Sequence, residues 1–447
     1  MQIKHTVFFI LFMAVGQTFG QSNNGNSPYS RFGLGDIVDQ NFINSRNMGG
    51  LGNSLFDGYR INIVNPASYA SLKATAFELG VTGTRSTYST DEASRTSWDG
   101  NLQYFALGFP LSNPLNEVLD QKKRPFDIGM SFALIPNSTV GYNIESTEDD
   151  PDLGLITRRF EGDGGSFNFQ WGNAIKYKNF SFGVNLGYVF GGIENERSVV
   201  FQEVPAVYQT LFSNNYSLRG FYLNTGILYN KVLNEKKILD KVDKEPVMIS
   251  LGFTFTPPSN FNTNATNSQL GIQDLVVGND IDTLSFQQDV TGNGRLPLRL
   301  GLGANYYYKE KYMIGIDFSL ANWSSYENDA DDTVVNNPLK NTFNVALGGF
   351  YRPNYRSFNN YFERIYYRYG VYYESDPRQI NNEQLDAYGV SFGLGLPFIY
   401  QRGISHADIG VELGQRGAGS VIEETFLTIN VGFTFNDSQW FLKSKYN

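Results

Sequence analysis

Near the end of the chain runs Leu427-Thr428-Ile429-Asn430-Val431-Gly432-Phe433-Thr434-Phe435. Every second residue is bulky and apolar, and the residues between are Thr, Asn and Gly. Side chains of a strand point alternately to its two faces. One face of this strand is therefore wholly apolar and the other small and uncharged. The pattern recurs in Tyr388, Val390, Phe392, Leu394 and Leu396 against Gly389, Ser391, Gly393 and Gly395. It recurs again in Phe180 to Phe190, and in Tyr312 to Leu320 against Gly315, Asp317 and Ser319. A soluble sandwich would carry Lys and Glu on its water-facing side. Small neutral residues fit a strand with lipid on one side and a packed or narrow lumen on the other. These runs also exceed the usual length of about 5–6 residues for a soluble strand.

The composition agrees. Of 447 residues, 46 are Gly, 28 Tyr and 36 Phe, yet only 18% are charged, against roughly 25% in soluble domains. A mean hydropathy of -0.31 excludes a bundle of membrane helices. The absence of cysteine excludes disulfides, thiolate zinc sites, a catalytic thiol and a lipoprotein anchor. Two histidines, His5 and His406, are too few for a His-based metal site, and a net charge of -9 disfavours nucleic acid. Lys4, the apolar run Thr6–Val15 and Thr18-Phe19-Gly20 read as a signal peptide over residues 1–20, cleaved near Gly20. The apolar run falls short of the roughly 20 residues a spanning helix needs.

Alternating runs number about fourteen. They lie near 75–88, 99–110, 126–147, 165–178, 180–195, 217–231, 247–257, 296–307, 312–323, 341–351, 364–374, 388–397, 407–415 and 425–435. The expected fold is all-β: a transmembrane antiparallel barrel over residues 75–435, with both termini in the periplasm. Short turns at Lys178-Asn179 and Tyr308 to Lys311 mark the periplasmic side. Long polar loops at 89–98, 148–164, 196–216, 258–295, 324–340, 375–387 and 416–424 mark the outside. Tyr306, Tyr307, Tyr308 and Tyr312, with Tyr366, Tyr367 and Tyr369, form an interfacial aromatic girdle. Residues 436–447, with Trp440 and Phe441, make an unusual periplasmic tail after the aromatic strand end.

Residues 21–74 do not alternate. They contain Arg46-Asn47-Met48-Gly49-Gly50, then Asp57, then Asn65-Pro66-Ala67 just before the first strand. In this order the segment resembles the N-terminal pattern of the FadL/TodX outer-membrane transport family. The resemblance covers about residues 45–72 in motif and the whole exported chain in architecture. It implies a 14-stranded barrel whose N-terminal hatch lies in the lumen. It further implies passive passage of hydrophobic or amphipathic molecules, such as long-chain fatty acids, through the outer membrane of a Gram-negative envelope. The family also includes barrels that serve as partners in type nine secretion. It implies, too, an inward kink in an early strand that opens a side door toward lipid. Pro136, followed by Asn137, is the candidate, because proline cannot donate to the ladder. A plain strand end with a tight turn is the alternative.

By parity, Glu78, Asp127, Arg299, Asp317, Arg368 and Glu412 point inward. They read either as an ion-pair network holding the hatch or as polar contacts for a ligand's carboxylate, with Arg299 and Arg368 as its partners. No catalytic set emerges, and no cofactor or metal is expected. Gly389-Val390-Ser391-Phe392-Gly393 matches a nucleophile elbow in letters only, since it lies inside a strand. The acidic loop 327–332 lacks EF-hand spacing. His406 is expected in a solvated turn. The expected partners are outer-membrane lipid and a hydrophobic ligand entering past Leu275, Val276 and Val277. The alternative is a docking barrel for a secretion or surface-protein complex.

Overall fold

The computed structural model describes residues 27–111, 125–204, 208–241, 243, 245–274, 279–331, 337–400 and 403–437. Signal residues 1–20, Leu275 to Val277 and the tail beyond Asp437 lie outside that set.

Fourteen strands close into one antiparallel barrel. They are β1 (Thr75–Ser89), β2 (Ser94–Pro110), β3 (Asp127–Asp150), β4 (Gly154–Tyr177), β5 (Phe180–Phe201), β6 (Gln209–Val232) and β7 (Val247–Thr256). Then follow β8 (Arg299–Tyr308), β9 (Tyr312–Ala321), β10 (Thr342–Tyr351), β11 (Tyr366–Ile380), β12 (Glu383–Tyr400), β13 (Gly403–Arg416) and β14 (Glu423–Asp437). Each pairs with its neighbour in sequence, and β14 pairs with β1 from Glu423↔Ser89 to Asp437↔Thr75, which closes the ring. The last strand thus runs two residues past Phe435.

Alternation sets the faces as the sequence implies. Ile314, Ile316, Phe318 and Leu320 are exposed to the outside, as are Val390, Phe392 and Leu394. The facing Asp317, Ser391 and Asn430 are buried. Burying side chains in a lumen requires something to fill it, and residues 27–74 do so. Their Phe42, Ile43, Ile61, Ile63, Tyr69 and Leu72 form one apolar cluster with Ala76, Tyr104, Ala106, Ala133, Ile135 and Ala174 of the wall. The Phe42 and Tyr104 rings stack at 3.8 Å.

The outer side departs from the expected loops. β3, β4, β5 and β6 have 24, 24, 22 and 24 residues, whereas β7 to β10 have 10 each. A tilted span needs only about 9–11, so the long strands rise well above the lipid. The stretches expected as loops at 148–164 and 196–216 are mostly strand. The expected loop 258–295 is a β-hairpin, Ser259–Asp274 paired with Asn279–Leu296. Its first strand continues the wall by pairing with Gln209 to Gly220 of β6. Pro257-Pro258 and Pro297 interrupt the ladder where the hairpin leaves and rejoins the barrel. The expected loop 375–387 is a tight turn, Asn381-Asn382, with φ of 51° and 67°, the backbone that a two-residue hairpin turn demands. Once above the lipid, a strand needs no apolar alternation. The cue that located the spans is therefore absent from these extensions.

Candidate functional site

The hatch is fastened along its length by wall groups whose parity points inward. Its deep half begins with a helical turn, Ile43–Arg46, followed by Gly49 and Gly50 at φ of 75° and 87°. Positive φ favours glycine. The turn brings the Gly49 amide to Ser391 Oγ of β12 at 2.9 Å. Beneath it lies Gly370 of β11, where any Cβ would overlap the Met48-Gly49 backbone. Met48 packs with Leu51, Leu55, Tyr307, Met313 and Ala346. Asn65 caps a short 3-10 helix, Pro66–Ser71, by accepting from the Ala67 amide at 3.1 Å, and donates to Asn53 O at 2.6 Å. Pro66 presses on Gly183 of β5, again with no room for a Cβ. Ala67 is fully buried. The inward glycine stripe is thus a bed for the hatch rather than the lining of an open channel.

The charges follow the same logic. Glu78 accepts from the Ile61 amide at 2.5 Å, and Asp317 Oδ2 accepts from the amides of Gly52 and Asn53, each at 2.6 Å. Glu412 pairs with Arg46 at 3.1 Å and accepts from Tyr372 Oη at 2.6 Å. Arg368 pairs with Asp408, which also holds Arg60 of the hatch at 3.4 Å. Buried charges need such partners. Nearer the outside, Asp36 bridges Arg378 at 2.6 Å and Arg416 at 2.8 Å. Burial alone would raise the Asp36 carboxyl, but the Arg416 and Arg378 guanidiniums hold it well below the usual carboxylate range.

Two of the six inward charges lie outside this network. Asp127 has the right parity but is exposed at the periplasmic end of β3, opposite Lys176. It is therefore no lumen contact. Arg299 has no carboxylate within ion-pair distance among the described residues; its guanidinium lies 5.6 Å from the Trp323 ring centre. The expectation for His406 is also corrected. It lies in β13, is buried, and packs edge-on against Tyr366 at 5.9 Å. Asp408 was missed, although the parity that selects Glu412 selects it too. Asp36, Arg60, Arg378 and Arg416 belong to non-alternating or outer segments, where parity is silent.

At Pro136 the strand does not end. β3 continues to Asp150 through a register shift between Pro136 and Ser138. On its other side, β2 pairs with β3 only from Pro110↔Gly129 to Phe105↔Leu134. Beyond that point β3 leaves β2, and the hatch lies along its freed edge. Asp36 and Ile37 pair with Thr139 and Ser138, Val38 donates to Asn137 O at 3.1 Å, and Ser27 donates to Gly141 O at 2.9 Å. Gln103 of β2 reaches Asp39 O at 3.0 Å from the opposite side. Among the described residues no group of His, Asp or Glu could hold a metal ion.

The model of the BamG family matches residues 1–447, the entire sequence. The chain belongs to the BamG family. No curated protein matches it. Its fold is that of solved outer-membrane barrels. A Pseudomonas aeruginosa FadL homologue shares 13% identity at a TM-score of 0.55, over 90% of this chain and 99% of that one. The Pseudomonas putida toluene transporter TodX shares 13% at 0.51, over 90% and 100%. The CymD monoaromatic hydrocarbon channel shares 13% at 0.51, over 91% and 99%. The FadL-like barrel is thus common ground between this BamG-family chain and channels, none of which is an enzyme by its description.

Proposed function

We propose that this BamG-family barrel is a docking element of the outer membrane, engaging a surface or secretion complex through its outer wall. The observation that carries the reading is the hairpin. Ile281, Leu284 and Phe286 are 58%, 56% and 59% exposed. Phe286 aligns through Ser268 with Ser213 of β6, eight residues beyond Phe221, the last aromatic of that strand's lipid band. At about 3.3 Å per residue this is about 25 Å along the strand, clear of the bilayer. Large apolar side chains exposed to water mark a protein contact. The two hairpin strands carry four Asp, one Arg and no Lys, which favours a partner surface that is apolar with basic residues around it. The plugged lumen agrees with this reading, since traffic would have to break buried ion pairs.

A photo-reactive residue placed at Phe286 in cells is expected to give one discrete adduct with an envelope protein. The same residue at the lipid-facing Leu302 serves as control. Replacing residues 257–298 with a short turn is expected to leave a folded barrel that captures nothing. No adduct from Phe286 would overturn the reading.

A second reading is passive uptake of hydrophobic or amphipathic molecules, with long-chain fatty acids as the type. It is supported by the separation of β2 from β3 above Leu134, beside which Pro136 and Asn137 would border a side opening once the hatch moved away. Flux of a labelled fatty acid into liposomes, no faster than into empty ones, would remove it.

A further inference from the structure

Inside the barrel, two adjoining cavities of about 500 and 230 Å³ share Gln40, Asn53, Arg299, Ser319, Asn344 and Glu374 in their walls. The other arginines bordering the larger one each hold a carboxylate. Arg46 has Glu412, Arg378 has Asp36 and Asp376, and Arg416 has Asp36 and Glu424. Among the described residues, Arg299, at the start of β8, pairs with no carboxylate and has the Trp323 face. Glu374 and Asp317 border the same space, but Glu374 takes an amide hydrogen from Asn344 at 3.2 Å and Asp317 serves the hatch amides. A cation held in a lumen cavity without a counter-ion is costly, so the missing partner is an anion.

The rest of the smaller cavity narrows the class. Asn168, Gln170, Asn224, Thr254, Thr256 and Ser259 line it. Asn168 donates to Tyr222 Oη, and Asn224 donates to Val64 O at 3.1 Å. Their amide oxygens, and Ser259 Oγ, are sealed within the wall with no partner among the described residues, so they do not open onto the cavity. A lining rich in amide and hydroxyl groups around one guanidinium suits a hydrophilic ligand that carries a negative charge. We infer that the Arg299 cavity binds a hydrophilic oxyanion, a carboxylate or a phosphate, with the anion at the guanidinium. This ligand is hydrophilic at its bound end, and of the outer hairpin only the base, Ser259 and Leu296, borders the cavity.

The test is calorimetry on the full-length protein in a non-ionic detergent. The probes are glucuronate and glycerol 3-phosphate, with glucose and glycerol as neutral counterparts. Lysophosphatidylglycerol presents the same phosphate chemistry on a lipid. Each anion is expected to bind at least tenfold tighter than its neutral counterpart. Arg299→Gln is expected to lose at least tenfold, and Arg299→Lys, which keeps the charge, to stay within a few-fold of the parent. Binding of the free solutes assigns the source to soluble anions, and binding of the lysolipid alone assigns it to a headgroup. Equal affinity for charged and neutral probes, unchanged binding by Arg299→Gln, or no binding of any anion by the parent protein would overturn the inference.

Discussion

The hatch has two halves that are held by different forces. Residues 43–72 sit deep in the lumen, gripped by inward carboxylates and pressed onto inward glycines. Residues 27–41 instead lie along the freed edge of β3, held by backbone pairing and by the Asp36 bridges. The deep half is fixed by buried partners, the carboxylates of Glu78, Asp317, Asp408 and Glu412. The outer half replaces a strand that the barrel wall lacks at that point, and it faces the wet end of the molecule. The deep half should therefore fail by destabilising the whole barrel. The outer half should detach while the barrel survives.

The largest effect is expected at Asp408. Asp408→Ala leaves the buried Arg368 guanidinium without a counter-ion and Arg60 with Asp57 alone, a defect that costs about 3–5 kcal/mol. The denaturant midpoint of the purified barrel should fall accordingly. Gly370→Val comes next, because its side chain would meet the Met48-Gly49 backbone, and overpacking typically costs about 1–3 kcal/mol. It should raise proteolysis of the deep half more than Asp36→Asn does.

The smallest effect is a pH dependence of the outer half. The Asp36 carboxyl is depressed in the folded chain, so its contribution is present above its unfolded value of about 3.9 and lost as pH falls below it. Protease cleavage within residues 27–41 should therefore rise below about pH 4 while the barrel stays closed. In Asp36→Asn that acid step should be missing, with cleavage already raised at neutral pH. An acid step that also unfolds the barrel would erase the distinction between the two halves.

The same contrast explains what could be read in the sequence. Leu427 to Phe435 and its relatives betray their faces because lipid forces large residues onto every second position. Glu78, Asp317, Arg368 and Glu412 were legible through that register. Above the lipid, β3 to β6 have water on the outside, and no rule of alternation marks where they continue as strand. The hairpin 259–296 therefore reads as a loop in sequence. Parity also gives direction but not depth: Asp127 shares the register of Gly129 and Ser131, yet stands at the open end of its strand. Nor does it give partners. Arg299 and Arg368 looked alike in sequence, and only the fold sets Asp408 beside one and leaves a cavity beside the other.

On the docking reading, the hatch stays closed while the outer wall does its work. The chain has no cysteine, so a single engineered disulfide is unambiguous. Ile37→Cys with Ser138→Cys, which face each other across the hatch and β3, would lock the outer half in place. The locked protein should support the same cross-linking from Phe286 and the same growth as the parent, with or without reductant. Loss of growth on locking, restored by a reductant, would contradict it and show that the hatch must open for function.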